Sequence, residues 1–414
     1  MSIKITQRYE QFSIFPQTIK WFFIAGIVGI LSGTASAGFL ASLEWVTAWR
    51  ENHIWIIALL PLAGLLIGWL YYRFGKEVEH GNNLLIDEVH SPQSVVPFRM
   101  TPLILFSTLA SHLFGGSVGR EGTAVQMGGS LADQLTAPFR LNNGDRRILL
   151  MAGISAGFAS VFGTPLAGAV FGFEVLTIGK LRYDAIFPCF IAAIIGNKVT
   201  LAWGIHHENY GISFIPEISI KGLVLTILAG AIFGIVGMLF ANTTHKIDHI
   251  FKKIISYPPL RPCIGGALVA LSVWIIGTTK YIGLGTSVIT DAFNGQSHTW
   301  DFVGKLAFTS LTLGSGLKGG EVTPLFFIGA TLGNALSYII SLPPPLLTGL
   351  GSVAVFAGAA NTPLSSILLA LELFGSPIGI YASVACVVSY LFSSHAGIYR
   401  AQRIGVDKHR RWSD

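Results

Sequence analysis

From Val322 to Leu371 the chain contains no Asp, Glu, Lys or Arg. A helix needs roughly 20 predominantly apolar residues to cross a bilayer, so a charge-free run of this length has no place in a water-soluble domain. Glu321 stands at its mouth, in GGEVTP (319–324), where a charge would ordinarily be excluded. The rest of the chain agrees: 51% of its 414 residues are hydrophobic and 12% charged. Apolar stretches at 18–43, 53–72, 148–173, 222–244, 322–371 and 373–398 have the length of spans, and shorter ones lie at 102–118, 185–197, 263–279 and 306–317. These predict an all-α polytopic membrane protein of about ten or more helical segments, some too short to cross. The 48 glycines suit close packing and interruption of helices in lipid.

The net charge of +6 is concentrated at the ends. Lys4, Arg8 and Lys20 precede or open the first span, and Arg400, Arg403, Lys408, Arg410 and Arg411 follow the last. The positive-inside rule then predicts cytoplasmic termini in a multi-pass protein of the cell (inner) membrane. The basic tail is short and lies beside a span, so the expected partner is the lipid bilayer, with no nucleic acid. Lys20 leads into a long apolar stretch without a small-residue cleavage pattern, so the first segment is expected to stay as an anchor. Cys189, Cys263 and Cys386 sit far apart in apolar stretches, and the 11 histidines show no zinc spacing. No metal or other cofactor is expected. One membrane domain, 1–414, is predicted, with no C-terminal regulatory domain after Tyr399.

The chain also repeats itself. Thr164-Pro165-Leu166 followed by Glu174 matches Thr362-Pro363-Leu364 followed by Glu372 at a constant offset of 198. GREGT (119–123) aligns with GGEVT (319–323) at an offset of 200, superimposing Glu121 on Glu321, and Gly75 and Gly81 match Gly277 and Gly283 at 202. Three blocks in one order predict a duplicated transporter whose halves meet near the bilayer midplane. The glycine-rich blocks 81–87, 115–123 and 314–324 are expected helix N-termini, with Asn82 able to cap and Pro324 suited to a first turn. Unpaired NH groups and positive dipole ends there attract anions.

GREGT, GGEVTP, the Thr-Pro-Leu block ending in Glu174, and Tyr399 of GIYRAQR together resemble the CLC family of anion channels and proton-coupled anion antiporters, over nearly the whole chain. The resemblance implies two inverted-topology repeats with interrupted and re-entrant helices, 18–205 and 218–400, and a homodimer with one pathway per subunit. It implies that Glu121 is a gating carboxylate that competes with anions and carries a proton. The anion site would draw on Asn82, on Gly119, Arg120, Gly122 and Thr123, on Val322 and Thr323, and on Tyr399.

Departures from the family's chloride pattern sharpen the reading. Asn82 stands where a serine is usual, Thr123 replaces a proline, and Glu321 and Val322 replace large apolar residues. This set resembles the fluoride-exporting subgroup. Val175 replaces the second glutamate of the inner proton route, leaving Glu321 as the nearest titratable substitute. The leading expectation is a fluoride/proton antiporter, with a chloride channel or chloride/proton antiporter as the alternative. A membrane-embedded enzyme using Glu121 and Glu321 as an acid/base pair lacks any nucleophile, metal or cofactor motif beside it, so no enzymatic activity is expected. Glu174 and Glu372 are expected to serve structure.

Overall fold

The structure, a computed structural model, describes residues 10–207 and 210–409. Lys4, Arg8, Arg410 and Arg411 of the charge argument lie outside the described residues. The first series of helices is α1 (Glu10–Asn52), α2 (Leu60–Phe74), α3 (Asn82–His90), α4 (Met100–Leu113), α5 (Glu121–Asp133), α6 (Asn143–Phe162), α7 (Pro165–Glu174) and α8 (Ile186–Ala202). The second is α9 (Ile220–Ile254), α10 (Leu260–Ile276), α11 (Thr286–Phe293), α12 (Asp301–Gly314), α13 (Val322–Leu336), α14 (Pro344–Ala360), α15 (Pro363–Phe374) and α16 (Gly379–Phe392). The two series match in order and length: each opens with its longest helix and includes one very short helix, α3 or α11. This is an all-α fold of two inverted repeats with interrupted helices.

Contacts follow the same symmetry. Within the halves α1 packs on α8 as α9 packs on α16, and α5 on α6 as α13 on α14. Between the halves equivalent helices meet: α2 with α10, α7 with α15, and α5 with α13. Contacts between equivalents must straddle a two-fold axis, so these pairs mark the pseudo-symmetry axis of the chain.

Proline and glycine explain the interruptions that hydropathy could not see. The run 322–371, read as one stretch, is three segments, α13, α14 and most of α15; the stretch 148–173 is likewise split between α6 and α7. Thr164 and Thr362 stand at the N-caps, with Pro165 and Pro363 beginning α7 and α15. A proline lacks the NH that a helix interior needs but costs nothing in the first turn. The preceding helices end in left-handed residues, Gly163 (φ 77°) and Asn361 (φ 58°). Among the described residues, four helical spans are long and apolar enough to cross a membrane: Phe15–Asn52, Ile54–Phe74, Tyr183–Ala202 and Ile220–Ile254.

Small residues set the inter-helix distance. Any side chain on Gly128 would strike the carbonyl of Gly153 on α6, and any on Gly329 that of Gly351 on α14. In lipid, where helices gain little from apolar burial, such close backbone contact is the main packing force. A buried ion-pair network then fixes α3. Arg146 on α6 pairs with Asp133 on α5 (2.7 Å) and with Glu88 on α3 (2.9 Å), and Glu88 and Asp133 also accept backbone NH groups of Gln93 and Val96. Every charge in it has a partner, which is the condition for burying one. The N-terminus of α3, and with it Asn82, is thereby held against α5.

Candidate functional site

Where α5 and α13 begin, the two halves exchange backbone hydrogen bonds: Gly119 N donates to Gly320 O (2.6 Å) and Gly320 N to Gly119 O (2.8 Å). Glycine is required on both sides of this bridge, since a side chain on Gly320 would meet Gly122 N at 2.7 Å. A glutamate stands at the start of each helix, and that of α5 meets the NH groups of α13.

Glu121, the first residue of α5, turns its carboxylate onto α13. It accepts from Thr323 N (3.0 Å) and from the Thr323 hydroxyl, and from Arg120 N (3.2 Å), with Arg120 Nε at 3.5 Å. The first NH groups of a helix have no partner within it and carry the positive end of the helix dipole, so the carboxylate occupies an anion site. Glu321, the N-cap of α13, points the opposite way. A methyl group on Gly122 of α5 would lie 3.4 Å from Glu321 Oε2 and 3.1 Å from Asn82 Nδ2. Glu121 is buried and Glu321 half-buried, and they differ in pairing: the shielded Glu321 Oε2 has no hydrogen-bond partner, and neither has Asn82 Oδ1.

Two cavities approach this junction, and no residue lines both. The larger, a vestibule of about 750 Å3, is lined by Asn82, Asn83, Gln126, Lys318, Glu321 and Tyr399 among others. Lys318 donates to Glu79 O (3.3 Å) and lies over the Tyr71 ring at 4.2 Å. The smaller cavity, about 30 Å3, holds about one water and is lined by Arg120, Glu121, Thr323, Thr286, Tyr210 and Phe326 among others. The glutamates divide between them, Glu321 on the vestibule and Glu121 on the smaller cavity. A series of rings flanks the junction: Tyr399 to Phe171 (6.3 Å), Phe171 to Phe356 (6.2 Å), Phe356 to Phe326 (6.1 Å) and Phe326 to Phe162 (5.5 Å), the last two lining the small cavity. An apolar wall of this kind keeps the crossing dry, which strengthens every charge interaction inside it.

The expected residues fall into three groups. Asn82, Glu321 and Tyr399 converge on the vestibule, while Arg120, Glu121 and Thr323 converge on the small cavity. Gly119 and Gly122 shape the junction through the backbone. Three expectations change. The Thr123 hydroxyl bonds Thr108 Oγ1 at 2.7 Å, is buried and lines neither cavity, because on a helix it faces α4 while Gly122 faces the junction. The Val322 side chain is packed in the core, so only its backbone can address an anion. Asn82 does not cap α3: Gly81 is the N-cap, at φ 56°, a conformation that favours glycine, and Asn82 is the first helical residue.

Three residues were missed. Asn83 Oδ1 accepts from Ala401 N (3.0 Å) and so ties the α3 turn to the segment carrying Tyr399. Gln126 faces Gly81, and Lys318 is, of the cations lining the vestibule, the one nearest Glu321 in sequence. Lys318 had a readable signal, since it and Glu321 are the only charges between residues 306 and 371. The tail is further fixed by Gln402 Nε2, which donates to Val175 O and Ala360 O (both 2.8 Å), and by parallel pairing of β1 (Thr177–Ile178) with β2 (Arg403–Ile404).

The outer glutamate pair crosses in the same way. Glu174, ending α7, accepts Leu364 N (2.9 Å) and Ser365 N (2.7 Å) of α15, and Glu372 on α15 accepts Leu166 N and Ala167 N (both 2.9 Å) of α7. These are reciprocal helix caps contributed across the symmetry axis.

Residues 63–394 match the family described as voltage gated chloride channel. A chloride/fluoride channel protein of Pseudomonas syringae pathovar tomato is 55% identical over 98% of this chain and 91% of its own length. Among solved structures, a CLC-type fluoride/proton antiporter superimposes with a TM-score of 0.91 at 33% identity, over 93% of this chain and 98% of that one. A slow cyanobacterial chloride/proton antiporter shares the fold, with a TM-score of 0.79 at 22% identity over 90% of this chain and 94% of that one.

Proposed function

The chain belongs to the voltage gated chloride channel family, and from that premise we propose that it is a proton-coupled antiporter that exports fluoride from the cytoplasm in exchange for protons. The observation that carries this reading is the crossed pair of glutamates, Glu121 on the NH groups of α13 and Glu321 beside α5, one on each of two separate cavities. A carboxylate sitting where an anion binds must leave before the anion passes, and protonation weakens its claim on the NH and OH donors. Anion passage and proton uptake thus compete for Glu121, which couples them.

Fluoride suits the donors that remain. It is small, strongly hydrated and a strong acceptor, so a dry site must replace its water with close NH and OH groups: the Asn82 amide, the Tyr399 hydroxyl, the Thr323 hydroxyl and the NH groups of α5 and α13. Glu321 supplies a proton-carrying group on the vestibule side, where Val175 offers none.

The reading extends to the assembly: repeats at 18–205 and 218–400, the vestibule on the cytoplasmic side with both termini, residence in the inner membrane, and a homodimer with one pathway per subunit. Efflux from proteoliposomes tests it. With a fluoride electrode, fluoride should leave much faster than chloride leaves matched vesicles; equal rates would return the protein to the chloride alternative.

A further inference from the structure

Two oxygens at the junction are acceptors without donors: Glu321 Oε2 and Asn82 Oδ1. Neither reaches the vestibule surface, although both residues line it, so vestibule water does not satisfy them. Asn82 Nδ2 and Glu321 Oε2 both face Gly122, at 3.1 and 3.4 Å from where its Cβ would stand. A buried acceptor left unpaired is costly, and each of these two residues carries one. One proton on Glu321 resolves both once the Asn82 amide turns, because a protonated carboxyl is a donor and the Asn82 carbonyl an acceptor.

We propose that Asn82 is the proton-sensing partner of Glu321, its amide turning with the protonation state of that residue so that fluoride capture in the vestibule requires a proton on Glu321. The amide has a donor end and an acceptor end of nearly the same shape, and which end faces which neighbour is set by the hydrogen bonds available. When Glu321 is ionised, Nδ2 donates to the carboxylate and is withdrawn from the vestibule. When Glu321 is protonated, Oδ1 accepts its proton and Nδ2 faces the vestibule, beside the Tyr399 hydroxyl. Arrival of a proton from the far side therefore primes the capture of fluoride from the near side, and an unprimed site does not load.

The charged and titratable groups around Glu321 are Glu121 from α5, Lys318 from its own approach loop, and Tyr399 from the tail segment. Glu121 is held by Thr323, and Lys318 by Glu79 O and the Tyr71 ring. Asn82 is thus the neighbour left with a free acceptor. Arg146, through Glu88, fixes the helix on which that amide turns.

The inference rests on the fluoride reading, and its test separates the two. Fluoride binding to the purified full-length protein is measured by calorimetry across pH. Wild type should lose affinity about tenfold per pH unit once Glu321 ionises, as one linked proton requires. Glu321→Gln, whose amide can donate to Asn82 Oδ1 permanently, should bind without pH dependence. Asn82→Ser keeps a hydroxyl donor for fluoride but cannot report the state of Glu321, so its pH slope should flatten even where affinity at low pH is retained. An unchanged slope in Asn82→Ser would show that simple charge repulsion links fluoride to the proton, overturning the inference and leaving the fluoride reading intact. Absence of fluoride binding by wild type at every pH would overturn both. A second measurement needs no substitution at Asn82: infrared difference spectra of wild type on adding fluoride should gain a protonated-carboxyl band that Glu321→Gln lacks, and a spectrum without that band contradicts the proposal.

Discussion

Two pairs of glutamates, each related by the internal repeat and each crossing from one half to the other, have opposite fates. Glu174 and Glu372 are alike: each carboxylate takes two NH groups from the helix opposite, and the symmetry of the sequence is kept in the hydrogen bonds. Glu121 and Glu321 are unlike. Glu121 is saturated by Thr323 and Arg120, whereas Glu321 keeps an oxygen with no partner. The symmetric pair caps helices and has nothing to gain by moving. The asymmetric pair leaves an unmet demand for a proton at one end and a filled anion site at the other. Duplication built both pairs; the proposed function rests on the pair whose symmetry is broken.

The largest effect should come from removing the charge that fills the anion site. Glu121→Gln should lower coupled exchange by about 100-fold, the scale for losing a proton-transfer group; retention of full coupled exchange in liposomes would remove Glu121 from the mechanism. Glu321→Gln comes next: proton movement should fall well below fluoride movement, so the ratio of the two fluxes separates this residue from Glu121. If both fluxes were unaltered, the asymmetry between the glutamates would carry no function.

The contrast also predicts what the symmetric pair does not do. Glu174→Ala should cost about 2 kcal/mol of stability by uncapping α15, seen as a lower midpoint of thermal unfolding in detergent, with the fluoride-to-proton ratio unchanged. A changed ratio would make the outer pair part of transport. The smallest effect belongs to Thr123→Val, which should cost about 1 kcal/mol for the lost bond to Thr108 and leave anion selectivity alone; altered selectivity would restore Thr123 to the anion site.

Much of this was legible in the sequence because the repeat is written in residues whose roles are local. The Thr-Pro-Leu blocks and a glutamate opening an apolar run carry their meaning within a few positions, so the duplication and the equivalence of Glu121 with Glu321 could be read directly. What could not be read is direction. Which helix receives the Glu121 carboxylate, which way the Thr123 hydroxyl turns, and that Gly81 rather than Asn82 caps α3 depend on contacts between segments 15 to 200 residues apart. Asn83 was invisible for the same reason, since its partner Ala401 lies at the other end of the chain. Apolar length also overstated continuity, because 322–371 satisfies a hydropathy window while Pro344 and Pro363 each restart the helix.

The central claim is that one proton and one anion compete for the same buried site. Proteoliposomes holding a fluoride gradient and no proton gradient test it most directly: outward fluoride should drive protons inward and build a proton gradient, and a chloride gradient of the same size should not. Fluoride flux without proton movement would contradict the account, making the chain a passive anion pathway.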